Sequence, residues 1–290
     1  MELPTTFFQL NLFQAGKMKT IFEIKKLECK YKNSKHSVLF IDELEIYKGE
    51  LVFIVGASGI GKSTILETLG LMNNTLVENP NSNFFFTPGN EKINYNSVWG
   101  NKNKNDKGLS QLRSKYFSFI FQDSTLFTHL TAYENVALPL LLSKQKDSSF
   151  NIHAANKITS SIFNEILEDY STVDEDKPIN LMSGGQRQRV AFSRAVASEF
   201  NVLFGDEPTG NLDPSSAIKC MDLLRSKINS ENAAVIVSHD VSLALKYADR
   251  IIVINKVGVK PNYFGKIDNN SVFTREKGLP SESLLINKIS

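Results

Sequence analysis

Gly56-Ala57-Ser58-Gly59-Ile60-Gly61-Lys62-Ser63-Thr64 lies between the apolar run Leu51 to Val55 and a helical pattern carrying Ile65, Leu66, Leu69 and Met72. The spacing G-x-x-x-x-G-K-S puts glycines where a backbone must wrap closely around an anion. Successive N–H groups and the start of the following helix can then all point at phosphate. In such a cradle Lys62 reaches the outer phosphates and Ser63 offers its hydroxyl to Mg²⁺. A strand before the loop and a helix after it are the context that this mechanism requires.

Further acids and amides stand at the ends of other apolar runs. Asn201-Val202-Leu203-Phe204-Gly205 leads into Asp206 and Glu207, and Pro208-Thr209-Gly210 forces a turn immediately beyond. Beside a phosphate loop, the first acid can hold Mg²⁺ through water and the second can orient and deprotonate an attacking water. Tyr116 to Phe121 ends in Gln122, either a turn residue or one that reaches Mg²⁺ and a water. Ala233 to Val237 ends in Ser238-His239-Asp240. In open α/β sheets that carboxyl edge is where ligands bind. Met182-Ser183-Gly184-Gly185-Gln186 opens a second glycine-marked helix, with Ser183 as N-cap. Tyr31, ahead of the cradle, reads equally as a half-buried strand residue or as a ring on which a base stacks.

Composition sets the bounds. The 290 residues are 41% hydrophobic and 22% charged, with net charge +2, which argues against a nucleic-acid surface spread over the whole chain. No uninterrupted apolar run approaches the roughly 18 residues of a membrane span. Cys29 and Cys220 are too far apart in sequence to suggest a metal-spaced pair, so a reducing compartment is expected. The apolar patch Phe7 to Phe13 has no basic start before it, which argues against a secretory signal. Thr131 and Glu134 have capping-box spacing for a helix. Phe84 to Phe86 and Ile93 with Tyr95 predict short antiparallel strands. Asn96 to Lys107 predicts a loop, being too polar to repay its ordering. Beyond Asn255 only weak strand signals remain, at Val257 and Tyr263.

Taken together, these motifs resemble the nucleotide-binding subunit of ABC transporters over about Ile21 to Gly258. Gly56 to Thr64 resembles the Walker A loop, Gln122 the Q-loop, Met182 to Gln186 the signature, and Val202 to Glu207 the Walker B strand. Asn211-Leu212-Asp213 is similar to the D-loop and His239 to the switch histidine. Glu134 to Pro139 and Gly205 to Asp213 are similar to the lipoprotein-release, macrolide-efflux and cell-division (FtsE-like) branch. Met182 replaces the signature's usual leucine, and the polar insertion before Gln122 is longer than expected for the branch.

The resemblance implies an α/β P-loop NTPase core with a mostly parallel sheet, a small antiparallel β layer and a helical subdomain. The expected division is a disordered or dispensable tail at 1–17, the nucleotide-binding domain at 18–258 and a C-terminal extension at 259–290. Within the domain, the helical subdomain covers about 123–185 and the polar insertion about 96–107. The implied activity is ATP hydrolysis with ATP and Mg²⁺. Tyr31 and Gly56, Ala57, Ser58, Gly59, Ile60, Gly61, Lys62, Ser63 and Thr64 would bind ATP. Ser63, Gln122 and Asp206 would hold the metal, and Glu207, His239 and Gln122 would be catalytic. Ser183, Gly184, Gly185 and Gln186 would act in trans and Asp213 at the dimer contact, in a head-to-tail homodimer or pair of ABC subunits. The implied partner is an integral membrane permease docked near Gln122 to Leu140, which places the chain on the cytoplasmic face of the membrane, with no nucleic acid expected. The reading is a subunit powering export or extraction of lipoprotein, peptide or drug. Its rival is an FtsE-like module that transmits ATP-driven dimerisation to an envelope enzyme without transport.

Overall fold

The computed structural model describes residues 18–100, 106–143, 149–166, 178–259 and 263–289. Its elements run β1 Thr20–Cys29, β2 Leu39–Tyr47, β3 Leu51–Val55, α1 Lys62–Leu69, β4 Asn83–Phe86, β5 Ile93–Asn94, α2 Tyr95–Gly100, α3 Asp106–Tyr116 and β6 Phe117–Ile120. Next come α4 Ala132–Ser143, α5 Ile152–Ile166, α6 Gly184–Ala197, β7 Val202–Asp206, α7 Pro214–Lys227, β8 Ala233–Val237, α8 Val241–Tyr247 and β9 Arg250–Val253. β10 Asn255–Val257, β11 Phe264–Ile267, β12 Val272–Thr274 and α9 Glu282–Ile289 complete the chain.

The uniformly apolar runs form one sheet, in the order β12-β9-β3-β8-β7-β6. Strands β9, β3, β8, β7 and β6 pair in parallel with one another, and β12 is antiparallel to β9 at the edge. β3 and β8 are buried along their whole length, as expected of strands covered on both faces. The second sheet, β10-β11-β2-β1-β4-β5, is mostly antiparallel. Phe22, Ile24, Phe84 and Phe86 from this sheet share one core with Val52, Ile54, Phe204 and Val235 from the other. An aromatic chain links the layers, from Phe22 stacked on Phe86 at 4.9 Å, through Phe117 at 5.0 Å, to Phe204 at 5.3 Å. α6, α7 and α8 close the opposite face of the parallel sheet, and α4 and α5 bury smaller clusters with α6.

One expectation is corrected. The polar stretch 96–107 is helical at both described ends, in α2 and α3; residues 101–105 lie outside the described residues. Composition undercounted its apolar anchors. Tyr95 is fully buried, starts α2 rather than ending a strand, and donates its phenol to Leu69 O at 2.7 Å, while Val98 and Leu109 are buried beside it. The chain beyond residue 258, expected as an extension with weak strand signals, enters both sheets. β11 pairs in parallel with β2, matching Gly265 with Leu39, and β12 pairs with β9. Strand β11 approaches the cradle so closely that a Cβ on Gly265 would stand 2.2 Å from Ile60 O. The tail expected at 1–17 lies outside the described residues.

One buried ion pair joins the amino ends of the neighbouring parallel strands β3 and β9. Arg250 Nε and Nη2 donate to the Glu50 carboxylate at 3.0 and 2.7 Å, and both side chains are under 10% exposed. Glu50 also accepts the Tyr47 N–H at 3.0 Å. Arg250→Ala is expected to cost about 3–5 kcal/mol in a urea titration, because it strands a buried carboxylate. Pairing it with Glu50→Leu should recover much of that loss; no recovery would mean that the arginine stem, not its charge, supplies the stability.

Candidate functional site

Strand register builds the site. Ile54 and Asp206 are both matched to Val237 in β8, so Gly56, Glu207 and His239 leave the sheet at the same carboxyl edge. Ile120 is matched to Gly205, which brings Gln122 to that edge from the other side. A cleft of about 600 Å³ opens at this edge on the side away from the cradle, lined by Gln122, Glu207, Asn211, Leu212 and His239 and by no residue from 56 to 64.

The cradle needs its glycines for conformation. Gly59 and Gly61 have φ of +72° and +104°, values that glycine reaches without a Cβ penalty. Lys62 begins α1 and folds its ammonium back onto the loop, donating to Gly56 O at 2.8 Å and Ala57 O at 2.9 Å. Burial lowers its pKa, partly offset by Glu207 and Asp206. These bonds close the loop around a positive centre that an arriving phosphate can take over. Ser63 points across the edge and donates to Asp206 Oδ2 at 2.9 Å. A hydroxyl and a carboxylate so close form an all-oxygen donor pair of the kind Mg²⁺ takes.

Glu207 has a backbone that few non-glycine residues adopt, with φ of +48°. It is held there by neighbours: its N–H donates to Val237 O at 2.9 Å, and the amide of buried Gln188 donates to Pro208 O at 2.9 Å. Residues kept in such strained conformations concentrate at functional sites. The Glu207 carboxylate accepts the His239 N–H at 3.3 Å and stands 3.3 Å from His239 Nε2. Burial raises its pKa, while His239 and Lys62 pull the other way. A carboxylate with raised basicity beside a cation and an imidazole can accept a proton from water.

Other expected residues occupy separate places. Ser183 caps α6 in a reciprocal capping box with Gln186, at 3.2 and 2.9 Å. Gly184 and Ser183 are exposed. Among the described residues, no hydrogen bond or ion pair joins Ser183, Gly184, Gly185 or Gln186 to the cradle of the same chain. Asp213 caps α7, accepting Ser216 N at 3.0 Å, and hydrogen bonds from the Ser216 side chain and backbone lower its pKa. Tyr31 is half-buried in the β1–β2 connection, with its hydroxyl on α1. The capping box at Thr131 and Glu134 is present, at 2.8 and 3.2 Å.

Three contacts escaped the sequence reading. Gln188 is one; its signal is a polar residue on the face that also carries Phe192 and Ala195. Arg194 ties α6 to the segment after Gln122, donating to Thr125 O at 2.7 Å. Fully buried Asn135 clamps the loop before α4, accepting Phe127 N at 2.8 Å and donating to Phe127 O at 3.0 Å.

Comparison with known proteins identifies the family. Residues 41–210 match the sequence model of a family described as ABC transporter. The chain is 34% identical over 236 residues to the macrolide export ATP-binding/permease protein MacB of Haemophilus ducreyi, covering 81% of this chain and 31% of that protein. It is 31% identical over 249 residues to the lipoprotein-releasing system ATP-binding protein LolD of Ehrlichia chaffeensis, covering 85% and 96%. The chain thus spans about a third of the length of its MacB relatives. Among solved structures, the dimeric post-hydrolysis state of the ATP-binding cassette MJ0796 bound to ADP and Pi matches with a TM-score of 0.65. That likeness is at 27% identity and covers 80% of this chain and 94% of the other.

Proposed function

Because the chain belongs to the ABC transporter family, as an ATP-binding component of LolD and MacB type with that family's ATPase fold, we propose that it is the ATP-hydrolysing motor of a membrane transport system. Its permease is a separate integral membrane protein, and its work is export or the extraction of a lipoprotein, peptide or drug. The observation that carries this reading is the convergence at one sheet edge of the Ser63–Asp206 pair with Glu207 and His239. The relatives' names, macrolide export and lipoprotein release, support the direction of transport.

In this reading Lys62 and the loop amides from Gly56 to Thr64 bind the phosphates of ATP, and Tyr31 stacks on the base. Ser63, Asp206 and Gln122 would hold Mg²⁺, which would supply charge neutralisation across the outer phosphates. Glu207 takes the proton of the attacking water, and His239 contacts the outer phosphate beside it. Ser183, Gly184, Gly185 and Gln186 are free to close over ATP held by a second copy, with Asp213 at the contact. Two-fold symmetry makes that interface self-complementary, and the dimeric form of the MJ0796 cassette supports it.

Among the described residues no helix is long and apolar enough to cross a membrane. Membrane attachment is therefore assigned to the permease, docked on the surface from Gln122 to Leu140, where Phe121 and Phe127 are exposed. The reading places the chain on the cytoplasmic face. The test is to pull down the tagged Glu207→Gln form in ATP from detergent-solubilised membranes. A polytopic permease should co-purify; ribosomes, DNA or no membrane protein would overturn the transport assignment. A cell-wall hydrolase recovered with it would favour mechanotransmission without transport.

A further inference from the structure

The Tyr31 hydroxyl donates to Glu67 Oε2 at 2.9 Å and stands 3.1 Å from Thr64 Oγ1. The same Glu67 oxygen accepts the Asn73 side-chain amide at 2.9 Å. Thr64 and Glu67 both belong to α1, whose first residues form the end of the cradle. The backbone on either side of the ring is fixed as well: Lys30 N donates to Thr75 O at 2.6 Å, and Ser34 N to Tyr31 O at 2.9 Å. Burial pushes the Tyr31 phenol up to about 12, so it remains a donor at physiological pH.

This arrangement joins the aromatic ring to the phosphate-binding helix at its far end. In a nucleotide the distance from base to phosphates is limited by covalent structure, so a ring carried on a loose loop would have to be ordered when the ligand arrives. A ring already tied to α1 has lost that freedom on folding, and ordering it no longer opposes binding. We propose that Glu67 is a positioning residue for the nucleotide base, holding the Tyr31 ring at a fixed distance from the cradle through the phenol. The inference rests on the reading of Tyr31 as the base-stacking ring. It adds that the ring's placement, as well as its presence, sets affinity for the nucleoside part.

The test titrates the full chain and its Tyr31→Ala, Tyr31→Phe, Glu67→Ala and Glu67→Gln variants with ATP and with inorganic tripolyphosphate, and measures kcat at saturating ATP. Glu67→Ala and Tyr31→Phe should each weaken ATP about fivefold, the effect of one net hydrogen bond. In Glu67→Ala, tripolyphosphate affinity and kcat at saturating ATP should stay at wild-type values. Glu67→Gln, whose amide oxygen still accepts the phenol, should restore most of the affinity, and Tyr31→Ala should lose more than any of them. Wild-type ATP affinity in Glu67→Ala and Tyr31→Phe, with a weakened Tyr31→Ala, overturns the tether and leaves stacking standing. Parallel loss of tripolyphosphate affinity in Glu67→Ala assigns Glu67 to the support of α1 and overturns the proposal. An unaffected Tyr31→Ala removes the stacking reading itself. If Glu67→Ala does not fold, Tyr31→Phe decides, because it keeps the ring and the Glu67–Asn73 bond.

Discussion

Glu207→Gln is expected to lower ATP turnover by about two to four orders of magnitude, the range for loss of a positioned general base, while ATP affinity stays within a few-fold of wild type. The amide matches the carboxylate in shape, so the strained backbone at φ of +48° and the support from Gln188 and Val237 remain in place. What disappears is the group whose basicity burial has raised. ATP then accumulates unhydrolysed, and a dimer stable to gel filtration should appear in ATP but not in ADP. The wild-type pH profile follows from the same shift. Glu207 must be ionised to accept a proton, and its raised pKa moves the acid limb of kcat upward from where an exposed carboxylate would put it. Activity should fall as pH drops through that raised value and recover above it. Single-turnover hydrolysis across pH checks both statements; retained turnover in Glu207→Gln would remove Glu207 from the base role.

Lys62→Ala is expected to weaken ATP binding about a hundredfold, as read by titration calorimetry, and to abolish hydrolysis at working ATP concentrations. Charge-assisted hydrogen bonds contribute about 1.5–3 kcal/mol each, and this ammonium is set to make such bonds to phosphate. In the free chain its protons go to Gly56 O and Ala57 O. Nucleotide binding therefore exchanges two neutral acceptors for anionic ones. Burial lowers the Lys62 pKa, and an incoming phosphate reverses that effect by favouring the charged form. The substitution also leaves two loop carbonyls without their donor, so a control is needed: circular dichroism and the melting temperature should stay close to wild type. Undiminished ATP affinity in a folded Lys62→Ala chain would show that the backbone amides alone hold the phosphates.

What could be read from sequence was local in origin. The phosphate cradle is one continuous stretch whose glycines and lysine have fixed spacing. The parallel sheet shows in runs such as Leu51 to Val55 and Ala233 to Val237, apolar without alternation because both faces are covered. The caps at Ser183 with Gln186 and at Thr131 with Glu134 join residues three positions apart, and a strand leading into Asp206 and Glu207 announces its own edge. The sequence thus determined the cradle, the parallel core and the order of its motifs. Tertiary structure decided what depends on residues far apart in the chain. Only folding brings Glu67 to Tyr31, buried Gln188 to the turn beyond Glu207, and β11 back to β2 beside the cradle. Each needs a strand register or a helix placement that no local pattern encodes, because the energy that fixes it comes from burying the whole aromatic and aliphatic interior at once. The helices at either end of the polar stretch 96–107 form for the same reason. Tyr95, Val98 and Leu109 gain a core that only the completed sheets provide.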